Sequence, residues 1–488
     1  MPVTSPSSST LPHPPRPPRP PRPLPGSVLI IGSGVFGLST AWALTRRDAF
    51  RETAITVVDR STDPDVFPSR DAASVDASRI IRADYSDPFY AALADEALAE
   101  WRKQGPDDLG GEGRYTESGL VLVADEPTAA APAAPGQAAK MTGMGYVKSS
   151  WANVAALAVD RPELRGQPCV LPTADAIRDA VGTGGSSGSW GYLNRASGWA
   201  DADASMRWLL ARVRATGRVR FVNGTVVSLR HDGDRVTGAV LDDGAALSAD
   251  LTILSAGAWS GSLVDLAGHA AATGQVLGYL TLTDEEQAQL QGMPVLLNLS
   301  TGLFIIPPRG RELKVARHAY GYLNPTTSLL PLRASAMADG PEPLVSVPLT
   351  AATRPDLVIP SEGSEALRSA LREMIPIPGL HDRPFSRTRL CWYSDTPTGD
   401  FLVDHHPTLE GLFVATGGSG HAFKFLPVLG DKIVDCVEGQ CPPQFRDKWS
   451  WRRVDHVTAW NAVATEDGSR GGRPGLLLDD ELRKSRPT

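Results

Sequence analysis

The sequence has few cysteines and no excess of positive charge. Its four cysteines, Cys169, Cys391, Cys436 and Cys441, do not follow the spacing of a metal site. Four thiols are also too few to hold 488 residues together by disulfides. The formal net charge is -7, and the composition offers no basic stripe. We therefore expect no structural metal, no nucleic-acid partner and no anionic membrane surface as a partner.

Long apolar runs are also missing. No stretch reaches the length of a transmembrane helix, and the first residues lack the apolar core of a signal peptide. The sequence closes on Arg486, Pro487 and Thr488, which does not match a peroxisomal tripeptide of the Ser-Lys-Leu type. A cytoplasmic, monomeric protein is therefore expected. Its ordinary apolar content, 42%, suffices for two domains with sizeable cores.

Two stretches are rich in proline. Residues 1–25 contain PHPPRPPRPPRPLP, a composition typical of a polyproline-like, disordered leader. A ligand for an SH3-type domain is the alternative reading, and a solvated leader without a partner is favoured. The Ala/Pro-rich stretch 127–140 is typical of a surface loop.

A glycine fingerprint near the start carries the first functional signal. After an apolar run, Gly32 permits a tight turn, Gly34 lets the backbone approach a pyrophosphate, and Gly37 allows helix and strand to pack closely. Asp59 ends the next apolar strand, where it can accept hydrogen bonds from a ribose. The pattern predicts a Rossmann-like dinucleotide-binding fold. A merely structural turn is the alternative, and the motif alone does not separate NAD, NADP and FAD.

Two later segments also place a turn of small residues beside a strand or a helix. LSAGAWS places Ala256 and Gly257 in a small-residue turn after a strand, and GGSGHAFKF forms another glycine turn before a helix. The predicted fold class is α/β, with a discontinuous Rossmann-like cofactor domain and an α+β substrate domain on a mixed or antiparallel sheet. The cofactor domain is assigned to 26–110, 191–270 and 385–440, the substrate domain to 111–190 and 271–384, and a tail to 441–488.

Five blocks occur in an order that resembles a known family. They are GSGVFG with Asp59, ASRIIRADYSDPFY, LSAGAWS, ELKVARHAYGY, and LCWYSDTPTGDFLVDHHP followed by GGSGHAFKF. Between about Ser27 and Trp451 the chain is similar to the D-amino-acid-oxidase-type flavoproteins. Within them it resembles the branch of monomeric sarcosine oxidase, pipecolate and saccharopine oxidases, and fungal fructosyl amino acid oxidases (amadoriases). The resemblance implies FAD as the cofactor.

The resemblance also implies roles for individual residues. Cys391 matches the cysteine that carries the flavin covalently, and a thiolate is a suitable nucleophile for such a bond. The alternative is that Cys391 is a buried apolar cysteine that only packs in the core. Lys314 matches the lysine at the flavin N5, where oxygen is reduced, and His318 is similarly placed near the flavin. Arg79 matches an arginine that faces the flavin.

Substrate residues follow from the same blocks. Arg82 and Lys424 match the partners of a substrate carboxylate, which an arginine fork binds well. Phe304 falls near an aromatic residue at the substrate face. Asp76, before Arg79, departs from the histidine-rich sequence of sarcosine oxidases and favours the amadoriase or saccharopine side.

Further cofactor contacts are expected beside these motifs. They are Ser33, Val35, Phe36, Arg60, Ser78, Val226, Trp259, Asp395, Gly418, Ser419, Gly420, His421, Phe423 and, again, Lys424.

The implied reaction is oxidation of a C–N bond. A small-molecule secondary amine of the N-substituted amino acid type loses two electrons to FAD and becomes an imine, and oxygen is reduced to hydrogen peroxide. A tailoring oxidase of fungal secondary metabolism, acting on an N-methyl or cyclic amine, is the main alternative. A non-catalytic flavin-binding protein and an NAD-dependent dehydrogenase are less favoured, because neither requires the last two blocks.

Overall fold

The computed structural model describes residues 23–61, 63, 66–127, 140–327, 331–335, 344–452 and 464–485. Residues 1–22 of the proline-rich leader and 128–139 of the Ala/Pro-rich stretch lie outside that part. The helices are α1 Val35–Arg46, α2 Pro88–Trp101, α3 Gly143–Asp160, α4 Ala174–Val181, α5 Ala202–Ala215, α6 Asp284–Leu290, α7 Ser361–Met374, α8 Leu426–Val437, α9 Pro443–Arg446 and α10 Leu478–Lys484.

The strands complete a mixed α/β fold, as predicted. In chain order they are β1 Ser27–Ile31, β2 Ala54–Asp59, β3 Arg79–Ile81, β4 Tyr115–Thr116, β5 Leu120–Ala124, β6 Pro168–Leu171, β7 Trp190–Asn194, β8 Gly198–Ala200, β9 Val219–Asn223, β10 Val226–Asp232, β11 Arg235–Leu241, β12 Ala246–Ser248, β13 Leu251–Leu254, β14 Ala271–Thr281, β15 Val295–Asn298, β16 Leu303–Arg309, β17 Glu312–Arg317, β18 Tyr322–Leu323, β19 Pro325–Thr326, β20 Val345–Ser346, β21 Arg387–Asp395, β22 Leu402–His405, β23 Leu412–Thr416 and β24 Leu476–Leu477.

A six-stranded sheet organises the nucleotide-binding part. Its order is β22-β23-β13-β1-β2-β9, and all neighbours are parallel except β22 and β23. Strands β1, β13 and β23 are almost wholly buried, because packed layers cover both faces of the sheet. The strand order reverses at β1, so the carboxyl ends of β1, β2 and β13 open a crevice of the kind that binds dinucleotides.

The helices beside this sheet are tightly packed. Helix α1 lies against α5 and α8. At the α8 contact a Cβ on Gly430 would come within 2.0 Å of the Ser39 carbonyl oxygen, so only glycine fits there. Helix α2 begins at its N-cap Asp87, whose carboxylate accepts from the N–H groups of Phe89 and Tyr90.

The second large sheet has ten strands. Its order is β24-β18-β14-β17-β16-β15-β5-β7-β6, and β21 also pairs with β14. Apolar side chains from its two faces form separate cores. Smaller sheets are β10-β11-β12, β19-β20 and β3-β8-β4. A sheet in which antiparallel pairs predominate was expected for the substrate domain.

Strand β21 lies in a different sheet from the one expected, since residues 385–440 were assigned to the cofactor domain. It pairs antiparallel with β14 from Tyr279↔Arg387 to Ala271↔Asp395, so it extends the ten-stranded sheet rather than the six-stranded one. The expected tail, 441–488, also contributes to that sheet, because β24 pairs with β18. The domain boundaries themselves remain a prediction. In the described ranges we find no helix with the length and apolarity needed to cross a membrane.

Candidate active site

The glycine turn after β1 lies at the centre of the nucleotide cleft. Gly32 has φ +98°, and a Cβ there would meet the Ser255 carbonyl oxygen at 2.5 Å. A Cβ on Gly37 would lie 1.9 Å from the Gly32 carbonyl oxygen. Gly34 caps α1 without any side-chain hydrogen bond. The first backbone N–H groups of α1 therefore face a turn in which no Cβ blocks an anion.

Asp59 is fixed against this turn. One carboxylate oxygen accepts from the Ser33 backbone N–H at 2.8 Å and from Ser33 Oγ at 2.6 Å, and the other accepts from the Arg60 N–H at 2.8 Å. Burial raises the pKa of Asp59, although the Ser33 bonds oppose that shift. The Arg60 guanidinium lies 4.4 Å from the centre of the Trp259 ring, at the same cleft. The Asp59 carboxylate and the Arg60–Trp259 pair are thus neighbours in the cleft.

Two serines in the cleft have no hydrogen-bond partner within the described chain. Ser74 Oγ and Ser255 Oγ are both buried, and both residues line the cleft. Buried hydroxyls normally have a hydrogen-bond partner, so these two can bond to a polar group of a molecule bound in the cleft. Gly257, with φ +54°, has open space where a Cβ would stand. These features fit a large polar cofactor such as FAD.

Most of the predicted cofactor residues line this cleft. They are Gly32, Gly34, Val35, Phe36, Asp59, Arg60, Arg79, Val226, Ala256, Gly257, Trp259, Gly418, Ser419, Gly420 and Phe423. Ser33 and Gly37 do not line the cleft. Ser33 donates hydrogen bonds to Asp59, and Gly37 packs against the Gly32 carbonyl oxygen. The sequence did not single out other lining residues, among them Ser69, Ser74, Ser255, Trp392, Tyr393 and Ser394.

A buried ionic cluster lies beside the cleft. The Lys314 ammonium donates to Asp76 Oδ2 at 2.6 Å and to the Ser78 carbonyl oxygen at 2.8 Å. Arg79 donates to the same Asp76 oxygen, and the Tyr279 hydroxyl donates to the other at 2.5 Å. Burial would raise the pKa of Asp76, but Lys314 and Arg79 outweigh it and hold that pKa well below its usual range. The Phe304 ring faces the same ammonium, 5.8 Å away.

The cluster carries more positive than negative charge. Lys314 and Arg79 share one carboxylate, and Arg389 adds a third cation near it. Burial lowers the pKa of Lys314 to about 8, with Asp76 opposing the shift. Sequence reasoning missed Tyr279 and Arg389, since their role depends on β14 and β21 lying side by side.

Cys391 stands next to this cluster. Its side chain is buried on β21, opposite Gln275 of β14. The Arg79 guanidinium lies 3.7 Å from its sulfur. The following residues, Trp392 to Ser394, line the nucleotide cleft. The thiol thus lies where β21 approaches the cofactor site.

A second cavity adjoins these residues. It is lined by Arg82, Tyr85, Tyr146, His318 and His421, together with acidic residues of the C-terminal segment such as Asp467. The Arg82 guanidinium lies 4.9 Å from the centre of the Tyr85 ring. Its Nη1 is buried and lacks a hydrogen-bond partner among the described residues. An unsatisfied guanidinium nitrogen at a cavity wall can donate a hydrogen bond to an acceptor on a bound molecule.

Lys424 also lies near the Tyr85 ring. Its Nζ is 5.2 Å from the Tyr85 ring centre and donates to the His421 carbonyl oxygen at 2.8 Å. Burial, and then the charge of Arg82, lower the pKa of Lys424 well below its usual value. The nearby Asp84 carboxylate is occupied by Ser197 and Asn194 hydrogen bonds.

His421 is held by two hydrogen bonds. Its Nε2 is 2.7 Å from the Gly399 carbonyl oxygen, so Nε2 carries the proton, and Nδ1 accepts from the Tyr85 hydroxyl at 2.9 Å. The Phe401 ring stacks on it at 4.8 Å. His421 therefore fixes the Tyr85 hydroxyl near both cations.

Arg470 was missed entirely, because the resemblance ends at Trp451. Its guanidinium donates to Asp395 Oδ1 at 2.6 Å and to the Ser419 carbonyl oxygen at 3.0 Å, and it contacts His318 Nδ1 at 3.0 Å. Asp395 also accepts from Thr273 at 2.6 Å. No local pattern in the sequence marks this arginine.

Comparison with known proteins identifies the family and its relatives. A family model described as FAD dependent oxidoreductase matches residues 27–436. The amino acid oxidase imqH of Aspergillus flavus is 33% identical, with 85% of this chain and 93% of the relative covered. L-saccharopine oxidase of Schizosaccharomyces pombe is 28% identical over 90% of this chain and 96% of its own. The crystal structure of fructosyl amine:oxygen oxidoreductase (Amadoriase I) from Aspergillus fumigatus superposes with a TM-score of 0.72 at 28% identity, covering 94% and 97% of the two chains.

Proposed function

The chain belongs to the FAD-dependent oxidoreductases, and from that premise we propose that it oxidises the C–N bond of a secondary amine of the N-substituted amino acid type. The proposed products are an imine, which water hydrolyses, and hydrogen peroxide from oxygen. The observation that carries the proposal is Arg82 Nη1, which is buried at the wall of a cavity beside the nucleotide cleft and has no hydrogen-bond partner among the described residues. The relatives are named as oxidases of an amino acid, of L-saccharopine and of a fructosyl amine, which are all amino compounds.

Arg82 and Lys424 are proposed to bind the substrate carboxylate. The Arg82 guanidinium and the Lys424 Nζ both lie near the Tyr85 ring, at 4.9 Å and 5.2 Å from its centre. Their mutual repulsion in a buried site favours an anion between or beside them. Because Asp84 is already engaged by neighbouring side chains, the carboxylate would come from the ligand.

FAD is proposed to lie in the nucleotide cleft. The α1 N-terminus with Gly34 would hold the pyrophosphate, Asp59 the ribose, and Ser74 and Ser255 would supply two further hydrogen bonds. When bound, FAD takes up the hydride equivalent from the carbon next to the amine and passes two electrons to the acceptor.

The protein can favour the neutral amine that this chemistry needs. An amine whose pKa lies about three units above neutral loses its proton at a cost of roughly 4 kcal/mol. The Arg82 guanidinium places positive charge at the cavity, and like charges disfavour an ammonium ion. The same group is proposed both to bind the carboxylate and to lower the pKa of the bound amine.

Lys314 is proposed to assist reduction of oxygen. Its ammonium is fixed by Asp76 and Ser78 and is one of several cations around a single carboxylate. A preorganised positive charge stabilises developing negative charge, and such groups are worth on the order of 3 kcal/mol.

Cys391 is proposed as a covalent attachment point for FAD. The support is its match to the family motif and its place on β21, between the Arg79 guanidinium and the cleft-lining residues Trp392 and Tyr393.

Anaerobic bleaching of the visible flavin absorbance tests the function. The purified protein is mixed with N-methyl amino acids, pipecolate, saccharopine, fructosyl amino acids and N-methyl aromatic amines. Bleaching by an amine with a carboxylate, followed by stoichiometric peroxide when oxygen is admitted, is expected. Bleaching by carboxylate-free amines alone would contradict the proposed substrate class. Bleaching without peroxide formation would show that the reduced flavin passes its electrons to an acceptor other than oxygen, as a tailoring enzyme could.

A further inference from the structure

Arg470 joins three parts of the molecule at the cavity wall. Its side chain is 1% exposed and contacts His318 beyond the end of β17, Asp395 at the end of β21, and Ser419 in the GGSG turn. Its guanidinium also lies 5.5 Å from the centre of the Tyr393 ring, which lines the nucleotide cleft. One buried arginine therefore connects the substrate cavity, the cofactor cleft and the C-terminal segment.

The contact with His318 fixes the protonation of the imidazole. A guanidinium has donors only, so the 3.0 Å contact requires His318 Nδ1 to accept. A neutral imidazole that accepts at Nδ1 carries its proton on Nε2. Since Nδ1 is occupied, Nε2 is the ring nitrogen left to interact with a molecule in the cavity that His318 lines.

Burial and the positive groups near His318 oppose a second proton, whereas Glu466 and Asp467, which line the same cavity, carry the opposite charge. Besides Arg470, the charges of Arg82 and Lys424 and the ring of His421 face it, and burial is the largest influence. Together they hold the pKa of His318 well below its ordinary value. The Tyr393 ring packs against it at 5.8 Å, and the Asp395 carboxylate is separated from it by the Arg470 guanidinium.

We infer that Arg470 is a positioning residue that holds His318 as the neutral Nε2–H tautomer, so that His318 donates a hydrogen bond to the substrate and does not accept the substrate's amine proton. This inference rests on the proposed function, because it assigns His318 its part in binding the amino acid. With Nδ1 occupied and Nε2 protonated, His318 has no free lone pair for a proton. The amine must therefore reach the site neutral or lose its proton to an acceptor other than His318.

The tautomer can be read directly in the unmodified holoenzyme. Protein labelled with 15N-histidine contains nine histidines, and a His318→Asn variant assigns the resonance of interest. We expect an unprotonated Nδ1 and a protonated Nε2 for His318, unchanged across the pH range in which an ordinary histidine titrates. A protonated Nδ1, or a cationic ring near neutral pH, would overturn the inference. This measurement does not depend on any turnover.

Variants then link the tautomer to substrate binding. Arg470→Met should free Nδ1 and raise the pKa of His318, so that a His318 ionisation absent from wild type enters the pH profile of anaerobic flavin reduction; it should lie on the acid side of an ordinary histidine, because burial and Arg82 still oppose the second proton. Substrate affinity should fall by about tenfold or more, as when a positioned donor is lost. Arg470→Lys keeps the positive charge and one donor and should restore part of the loss. Arg483→Met, on the exposed face of α10, is the control and should behave as wild type.

The outcomes separate this inference from the proposed function. If no amine bleaches the wild-type flavin, the proposed function fails while the NMR result still decides the tautomer. If bleaching occurs and Arg470→Met leaves both the His318 resonance and the pH profile unchanged, the inference alone fails.

Discussion

The Lys314 ammonium lies 2.6 Å from Asp76 Oδ2, and the two side chains are 3% and 0% exposed. A buried pair of this kind loses much hydration free energy, so it persists only where further hydrogen bonds satisfy both partners. Tyr279 and Ser78 provide them. With Arg79 on the same carboxylate, the pair leaves net positive charge beside the cofactor cleft.

Reoxidation of the flavin is expected to depend on this charge. Lys314→Met should leave anaerobic reduction by substrate within a few fold of wild type and slow reoxidation by oxygen by about 100-fold, the effect of removing one preorganised charge. Stopped-flow absorbance measures both half-reactions. Lys432→Met, on the surface of α8, is the control. Equal slowing of both half-reactions would show a general structural defect instead.

The same lysine predicts a pH dependence. Because the pKa of Lys314 is lowered to about 8, the ammonium is present below that pH and is lost as the pH rises through it. The reoxidation rate of wild type should therefore fall above about pH 8. In Lys314→Met this decline should be absent, which stopped-flow traces between neutral and alkaline pH would show.

Much of the cofactor cleft could be predicted from local sequence. The turn at Gly32 and Gly34 and the strand end at Asp59 are set by residues close together in the chain, and backbone sterics leave few alternatives for them. Asp76 was predicted only as a marker of a subfamily. Its place at the centre of an ionic cluster depends on β14, β17 and β21 meeting, which no local periodicity encodes.

Cys391→Ser should abolish covalent attachment of flavin. In the wild type the flavin should stay with the protein after acid precipitation, and in the variant it should appear in the supernatant. Cys169→Ser replaces an exposed cysteine and should leave attachment unchanged. Release of flavin from the precipitated wild type would refute a covalent link at any residue.

Arg82→Met should weaken binding of carboxylate substrates. Loss of a charged hydrogen bond costs about 1.5–3 kcal/mol, so the dissociation constant measured by anaerobic flavin reduction should rise roughly 10- to 100-fold. The corresponding amide of the same substrate supplies the control, since its binding should change little. Similar losses for acid and amide would place Arg82 outside carboxylate recognition.

Alanine substitutions at two glycines of the fingerprint should have different effects, one on stability and the other on flavin affinity. Gly37→Ala puts a methyl group against the Gly32 carbonyl oxygen and should lower the free energy of unfolding by about 1–3 kcal/mol. Gly34→Ala meets only Ser74 Oγ, at 3.7 Å, so the apoprotein should unfold near the wild-type temperature while flavin affinity decreases. Thermal melts of apoprotein and flavin titration separate the two. Loss of stability in Gly34→Ala with unchanged flavin affinity would refute its role beside the pyrophosphate.

Arg470 shows what the sequence could not reveal. It lies 152 residues from His318 and 75 from Asp395, outside every recognised block. Arginines are common on surfaces, and this one becomes informative only when the folded chain buries it.

The six-stranded sheet also has a consequence for biosynthesis. β23 pairs with β13, which pairs with β1, and α8 packs on α1, so the first and last thirds of the chain share one nucleotide-binding unit. During translation β1 can pair with β2 at once, but its other neighbour, β13, and helix α8, which packs on α1, are made only at residues 251–254 and 426–437. The sheet around the nucleotide cleft is therefore completed late in synthesis, and part of the apolar surface of α1 stays uncovered until then.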